Sequence, residues 1–247
     1  MLVVAALHPM EWVPSEIALA FALEFLASPI EGVELVVVPV ANPDGRAAVE
    51  RSLRRGKNTF SRGNARGVDL NRDFALNREP GDLWGRLLPA WHTTSDAALS
   101  QPESRALDEL AARAHFDLFV SLHAFGGYIF TPWAGRWERP SDWRAMEALG
   151  RRMAEAQGPR GYQVGQLSRW AFFFRLHGSE IDHFHGRYGV PSFLVETTRT
   201  GIEPLDPSTW RSYFRRYNPR DPTRHVDLGV ALLRASAGAL AESLSSE

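Results

Sequence analysis

Leu2-Val3-Val4-Ala5-Ala6-Leu7-His8-Pro9-Met10-Glu11 opens the chain with six apolar residues that run straight into a histidine. An unbroken apolar run, rather than an alternating one, is what a parallel strand covered on both faces requires. Leu2–Leu7 therefore reads as a buried strand ending at His8. Pro14 and Ser15 then open a helix to about Ala27, apolar almost all round, as in a buried helix. The same grammar recurs outward along the chain. Val33–Val40 is a second strand, closed by the turn Asn42-Pro43-Asp44-Gly45. Pro102–Ala114 reads as a helix, and Phe116–Leu122 as a strand that again ends in a histidine, His123. Tyr128–Pro132 is a strand, Asp142–Gln157 a helix, Ser192–Val195 a strand running into Glu196, and Val226–Leu244 a closing helix. Residues 46 to 98 are polar and weakly periodic, and long irregular segments inside domains are usually functional. The alternation predicts an α/β fold: a single domain over 1–247, with a mixed, mostly parallel twisted sheet and helices on both faces. In such sheets functional groups gather at the carboxyl ends of strands, and His8, Asn42, His123 and Glu196 all fall there.

Composition bounds the chemistry. The 247 residues carry a formal net charge of −1, without the basic excess of a general nucleic-acid binder. Lys57 is the sole lysine, so nearly all positive charge is arginine, whose fork suits carboxylates. There are no cysteines, so any metal must be held by His, Asp or Glu. No segment approaches transmembrane length and no basic leader precedes Leu2, so a cytoplasmic protein that engages neither membrane nor nucleic acid is expected.

His8-Pro9-Met10-Glu11 is an H-x-x-E, and two histidines with one glutamate form a ligand set that leaves zinc an open position. The spacing arises easily: His177-Gly178-Ser179-Glu180 repeats it, and a loop capping the next helix also explains it. His123 strengthens the first copy, because it lies beside His8 if their strands are neighbours. A rival cluster, His177, Glu180, Asp182, His183 and His185, has the composition for a metal, but its segment reads as little more than one helical turn. Arg62-Gly63-Asn64-Ala65-Arg66-Gly67-Val68-Asp69-Leu70-Asn71-Arg72-Asp73-Phe74 is the most distinctive stretch. Arg72 can grip a carboxylate in bidentate fashion with Asn71 as a neutral donor, and Arg62 or Arg66 can stabilise an oxyanion. The plainer reading is a polar surface loop. Glu196 ends a buried strand and should have a raised pKa, suited to taking a proton from water on zinc; a salt bridge to Arg199 is the plainer reading.

Taken together, the residues resemble the zinc metallocarboxypeptidases of the carboxypeptidase A type, peptidase family M14. The matching segments occur in chain order: His8-x-x-Glu11, Asn42-Pro43-Asp44-Gly45, Gly67-Val68-Asp69-Leu70-Asn71-Arg72, Gln101-Pro102-Glu103, His123, and Gly189-Val190-Pro191-Ser192-Phe193-Leu194-Val195-Glu196. The resemblance implies a zinc carboxypeptidase-like fold and one zinc ion per chain, held by His8, Glu11 and His123. It implies Asn71 and Arg72 on the terminal carboxylate of a peptide or peptide-like substrate, Glu196 as general base, and Arg62 on the oxyanion, with Arg54, Arg55 and Arg66 as alternatives. Counting back from Glu196, the family's mobile substrate-binding tyrosine falls on Phe174, which lacks the hydroxyl, and the floor of its side-chain pocket falls on Ile181. Tyr188 replaces the tyrosine only if the register differs. The expected activity is hydrolysis of the C-terminal peptide bond. Competing functions are murein-peptide amidase, as in some compact bacterial members, N-acyl amino acid deacylase, and a non-catalytic peptide-binding module.

Overall fold

Alternate side chains of the central strands go to opposite faces, and each face is apolar. Val3, Ala5, Val120, Leu122, Phe193 and Val195 join one buried cluster; Leu2, Val4, Phe119 and Leu194 join another. This two-sided burial is why the strands read as unbroken apolar runs.

The computed structural model describes residues 1–79, 87, 93–171, 175–199, 201–202 and 205–245. In chain order these form β1 (Leu2–Ala5), α1 (Trp12–Ala27), β2 (Val36–Val38), α2 (Pro43–Arg54), α3 (Pro102–Ala114), β3 (Phe119–His123), β4 (Tyr128–Thr131), α4 (Trp143–Glu155), β5 (Gln163–Gln166), α5 (Glu180–Tyr188), β6 (Ser192–Glu196), α6 (Pro207–Arg211), α7 (Tyr213–Tyr217) and α8 (Thr223–Leu244). The strands make one sheet in the order β2-β1-β3-β6-β4-β5. All pairings are parallel except β4 with β6. Residues of α1, α4 and α8 fill one face, and residues of α3, α5 and the Leu70–Phe74 segment fill the other. No described helix is long and apolar enough to cross a membrane.

Helix α5 is longer than the single turn that the sequence suggests, α6 and α7 have no counterpart in the sequence reading, and three further elements also differ. Asn42-Pro43-Asp44-Gly45 does not close a turn but starts α2: the Asn42 side chain accepts from Gly45 N–H (3.0 Å), and Pro43 occupies the first turn. Turn and helix-cap vocabularies share Asn, Pro and Asp, so the tetrapeptide alone cannot separate them. Helix α1 buries Val13, Ile17 and Phe21 but leaves Leu19, Leu23 and Leu26 exposed, so it is not buried all round. Strand β5 is a polar edge strand, Gln-Val-Gly-Gln, without the apolar run that revealed the others.

Candidate metal centre and active site

Because β1, β3 and β6 are adjacent and parallel, their carboxyl ends share one edge of the sheet. His123 and Glu196 are register partners at that edge, and β1 leads into His8 beside them. Trp12 begins α1, so Glu11 is its N-cap residue and turns back toward His8. The side chains of His8, Glu11 and His123 are buried and offer ligand atoms within 4.8 Å of one another. His8 Nδ1 lies 2.8 Å from Glu11 Oε1, and His123 Nδ1 lies 3.0 Å from His8 Nδ1 and 3.1 Å from Glu11 Oε2. Two ring nitrogens facing each other around a carboxylate is a donor set for a cation. The outward nitrogens fit the same reading, since metal-bound histidines present their second nitrogen to a carboxylate or carbonyl. His8 Nε2 meets Asp69 Oδ1 at 3.1 Å, and His123 Nε2 meets Glu180 Oε1 at 2.8 Å. The residues present therefore fit a zinc ion.

Asp69 organises the neighbouring loop. Besides His8, it accepts from Asn71 N–H (2.9 Å) and, through Oδ2, from Arg62 Nε (2.7 Å). That places the Arg62 guanidinium 4.0 Å from Glu11 Oε1, in the centre itself, whereas Arg54, Arg55 and Arg66 are exposed. The loop keeps this shape through Asn64, whose Oδ1 accepts from Arg66 and Val68 N–H and whose Nδ2 donates to Gln101 and Glu103. Asn42 ties in the other side by donating to Leu7 C=O (3.0 Å). Arg72 is buried, and Asn71 Oδ1 accepts from Glu180 N–H (3.0 Å), so the Asn71 amide nitrogen is its donor end for a ligand. Gly178 lets these segments meet: a Cβ there would lie 2.6 Å from Arg72 C=O, and its φ of +71° is left-handed.

The charges respond to this crowding. Burial pushes Glu11 up, but the charge of His8 and hydrogen bonds from His123 and His8 override it and bring the pKa to about 2. Burial opposes the His123 imidazolium, yet the charge of Glu180 and the hydrogen bonds with Glu11 and Glu180 raise it to about 10 without a metal. Glu196 is raised to about 8, first by burial and then by the negative charge of Glu11. Its Oε2 is buried without a hydrogen-bond partner among the described residues. A carboxylate that prefers its neutral form beside a cation site is poised to exchange protons with a water there.

A family model described as zinc carboxypeptidase matches residues 1–216. The chain belongs to that family. Among curated zinc carboxypeptidase relatives, carboxypeptidase A2 of Mus musculus is 24% identical over 213 residues, covering 80% of this chain and 50% of the relative. The chain thus spans about half the length of the curated relatives it matches. Among solved structures, carboxypeptidase A from Helicoverpa armigera superposes with a TM-score of 0.69 at 21% identity, over 96% of this chain and 61% of that one. A murein-tripeptide amidase from Escherichia coli O157 superposes with a TM-score of 0.52 at 22% identity, over 89% and 82%. These similarities show the shared carboxypeptidase fold.

The structure brings His8, Glu11, His123, Arg62, Asn71, Arg72 and Glu196 together near the carboxyl ends of β1, β3 and β6. Ile181 is fully buried in the apolar cluster with Leu70, Phe74, Phe184 and Leu194. Phe174 lies outside the described residues. The rival histidine cluster does not converge: His183 pairs with Asp108 (2.8 Å), His185 Nδ1 contacts Val190 C=O (3.3 Å), and Asp182 accepts from Ala134 and Gly135 N–H. Tyr188 donates its hydroxyl to Asp108, so it is committed elsewhere. Sequence reasoning assigned no role to Asp69 or to Tyr217. The signal for Asp69 was available, since each ligand histidine calls for an outer carboxylate. Tyr217 lies close enough to the centre for its hydroxyl to feel the charges of Glu11 and Arg62, but it comes from a short helix far along the chain that no local pattern links to the centre.

Proposed function

We propose that the protein is a zinc-dependent metallocarboxypeptidase that hydrolyses the C-terminal peptide bond of peptides. The observation that carries this reading is the convergence of a buried His-Glu-His set, Glu196 paired in register with His123, a half-buried arginine beside Glu11, and the buried Asn71–Arg72 pair in one centre. Zinc bound by His8, Glu11 and His123 supplies a Lewis acid that polarises the scissile carbonyl and acidifies a water. A cation held at the His-Glu-His set would favour the ionised form of Glu196, which would then take the proton of the attacking water and deliver it to the leaving amine. Burial works against the Arg62 charge, but Asp69 and Glu11 keep it fully cationic, so it donates to the oxyanion as the tetrahedral centre forms. Arg72 and the Asn71 amide nitrogen hold the terminal carboxylate one residue beyond the cut.

Side-chain preference follows from what surrounds Ile181. Glu180 turns to His123, His183 to Asp108, and His177 lies 3.6 Å from Glu79, so the polar neighbours are engaged elsewhere. Ile181 itself packs fully into the apolar cluster with Leu70, Phe74 and Phe184, so it backs an apolar wall and not a charged one, and apolar C-terminal residues are the expected preference. On the acyl side, a cavity of about 620 Å³ lined by Phe60, Phe125, Tyr213 and Tyr217 adjoins the Arg62 loop through Phe60 and suits apolar residues before the cut.

Mass spectrometry of a mixed peptide and murein-peptide pool, after incubation with zinc-loaded protein, tests the proposal with Glu196→Gln as control. Removal of single C-terminal residues by the wild type alone is the expected result. Selective cleavage of a γ-D-glutamyl linkage would reassign the protein as an amidase, and release of acyl groups from N-acyl amino acids as a deacylase. Stoichiometric zinc without any cleavage would leave a binding module.

A further inference from the structure

Glu180 opens α5 and has no exposed surface. An isolated carboxylate there would be strongly unfavourable, so its contacts must compensate. Its Oε1 lies 2.8 Å from His123 Nε2, and Ser121 Oγ lies 3.1 Å from the same nitrogen. The opposite nitrogen, Nδ1, faces His8 and Glu11. An acceptor on Nε2 keeps the proton there and leaves the Nδ1 lone pair for the metal position. The Glu180 main-chain N–H meanwhile donates to Asn71 Oδ1 (3.0 Å). One residue thus touches a metal ligand through its side chain and the carboxylate-binding pair through its backbone. Packing fixes the contact: Phe184, one turn beyond Glu180, stacks on Phe119 with ring centroids 3.9 Å apart and planes 6° from parallel. Phe119, Ser121 and His123 share a face of β3. His8 has a carboxylate of its own, Asp69, from a different segment.

We infer that Glu180 is a positioning residue for the metal, holding His123 in the tautomer that donates through Nδ1 and joining that ligand to Asn71. This rests on the zinc reading above and extends it to a residue in the segment of the rival histidine cluster. Carboxylates in this outer position raise ligand basicity, and their loss weakens metal affinity by about 10- to 100-fold.

Zinc affinity, measured by competition with a chromophoric chelator, tests the inference without turnover. Glu180→Gln still accepts a hydrogen bond but carries no charge, and should weaken zinc by about 10-fold; Glu180→Ala should approach about 100-fold. Nitrogen and proton NMR of the zinc forms should show the His123 Nε2 proton hydrogen-bonded and slow to exchange in the wild type, and shifted upfield and faster to exchange in Glu180→Ala, with the ring of His8 unaffected. If the alanine variant does not fold, the nearly isosteric glutamine variant decides the affinity comparison alone. Wild-type affinity in the variants would overturn the role of Glu180. A wild type that holds no zinc would instead overturn the carboxypeptidase reading, and this inference with it.

Discussion

A carboxylate at the end of a buried strand loses water that nothing in the protein replaces, and Glu196 shows the consequence in one unpartnered oxygen. Its pKa of about 8 reflects burial first and Glu11 second. In the metal-free protein the folded state therefore keeps a proton that the unfolded chain releases near the ordinary value of 4.5. The stability associated with that proton is fully present below about pH 4.5 and is lost as pH rises toward 8. Glu196→Gln should accordingly make the metal-free protein more heat-stable at pH 8, while lowering kcat of the zinc form by about 10²- to 10⁴-fold. Melting curves and steady-state rates check the two halves, and a less stable, fully active variant would remove Glu196 from the role of base. Asn71 allows a sharper test, because its orientation is fixed by the Glu180 N–H. Asn71→Asp keeps that acceptor but turns an anion toward the substrate carboxylate. KM should rise by at least about 30-fold, the equivalent of ~2 kcal/mol lost from a charged hydrogen bond, with little change in kcat. These residues were legible in the sequence because their types carry the chemistry. Asp69 and Glu180 were harder, since an outer carboxylate needs only proximity and obeys no spacing.

The elements supporting the site hold it through single buried polar residues. Asp73 has no exposed surface, yet accepts from Ser95, Ser100 and Ser104 hydroxyls at 2.7, 2.7 and 2.5 Å, and from Gln101 N–H at 3.0 Å. It thereby fastens the segment bearing Asn71 and Arg72 to the start of α3. This explains why the described stretches 62–74 and 93–98 look irregular in sequence: Asn64, Asp69 and Asp73 hold them through side-chain acceptors, not through apolar periodicity. Burial pushes the Asp73 pKa up, but the serine hydroxyls and the Gln101 N–H bring it below its ordinary value. The resulting stability is present above about pH 3.8 and is lost as pH falls through the depressed value. Asp73→Ala should destabilise the protein by about 3 kcal/mol or more, as several donors lose a charged acceptor. It should also flatten the acid limb of a melting-temperature profile between about pH 5 and 2. An unchanged profile would show that the anchor lies elsewhere. Strands with apolar runs and helices with clean periodicity were readable to within a few residues. Helix α2 and strand β5 were not, the first because its cap spells a turn and the second because an edge strand can be polar.

Across the whole molecule, the strand order brings together what the chain keeps apart. His8 and His123 are 115 positions apart, and the parallel pairing of β1 with β3 makes them neighbours. Which strands pair is set by the packing of both faces, so the sequence supplied the two histidines and only the sheet supplied their contact. A zinc ion held by His8, Glu11 and His123 would link β1, the start of α1 and β3, three elements that separate on unfolding. Without it the same groups still attract: Glu11 is an anion, and His123 with its pKa near 10 is a cation between Glu11 and Glu180. The metal-free protein should therefore remain folded but be less stable, because zinc binds the assembled site and not the dispersed ligands. At free zinc about 1,000-fold above Kd, that linkage amounts to ~4 kcal/mol. For a chain of this size, each kcal/mol moves Tm by about 2–4 °C, so chelation should lower Tm by roughly 8–16 °C. Returning zinc should restore it, and His8→Ala, which lacks a ligand, should show little response to either treatment. If instead the wild type melts at one temperature with chelator and with zinc, the His-Glu-His centre does not hold a metal and the ion pairs alone account for its burial.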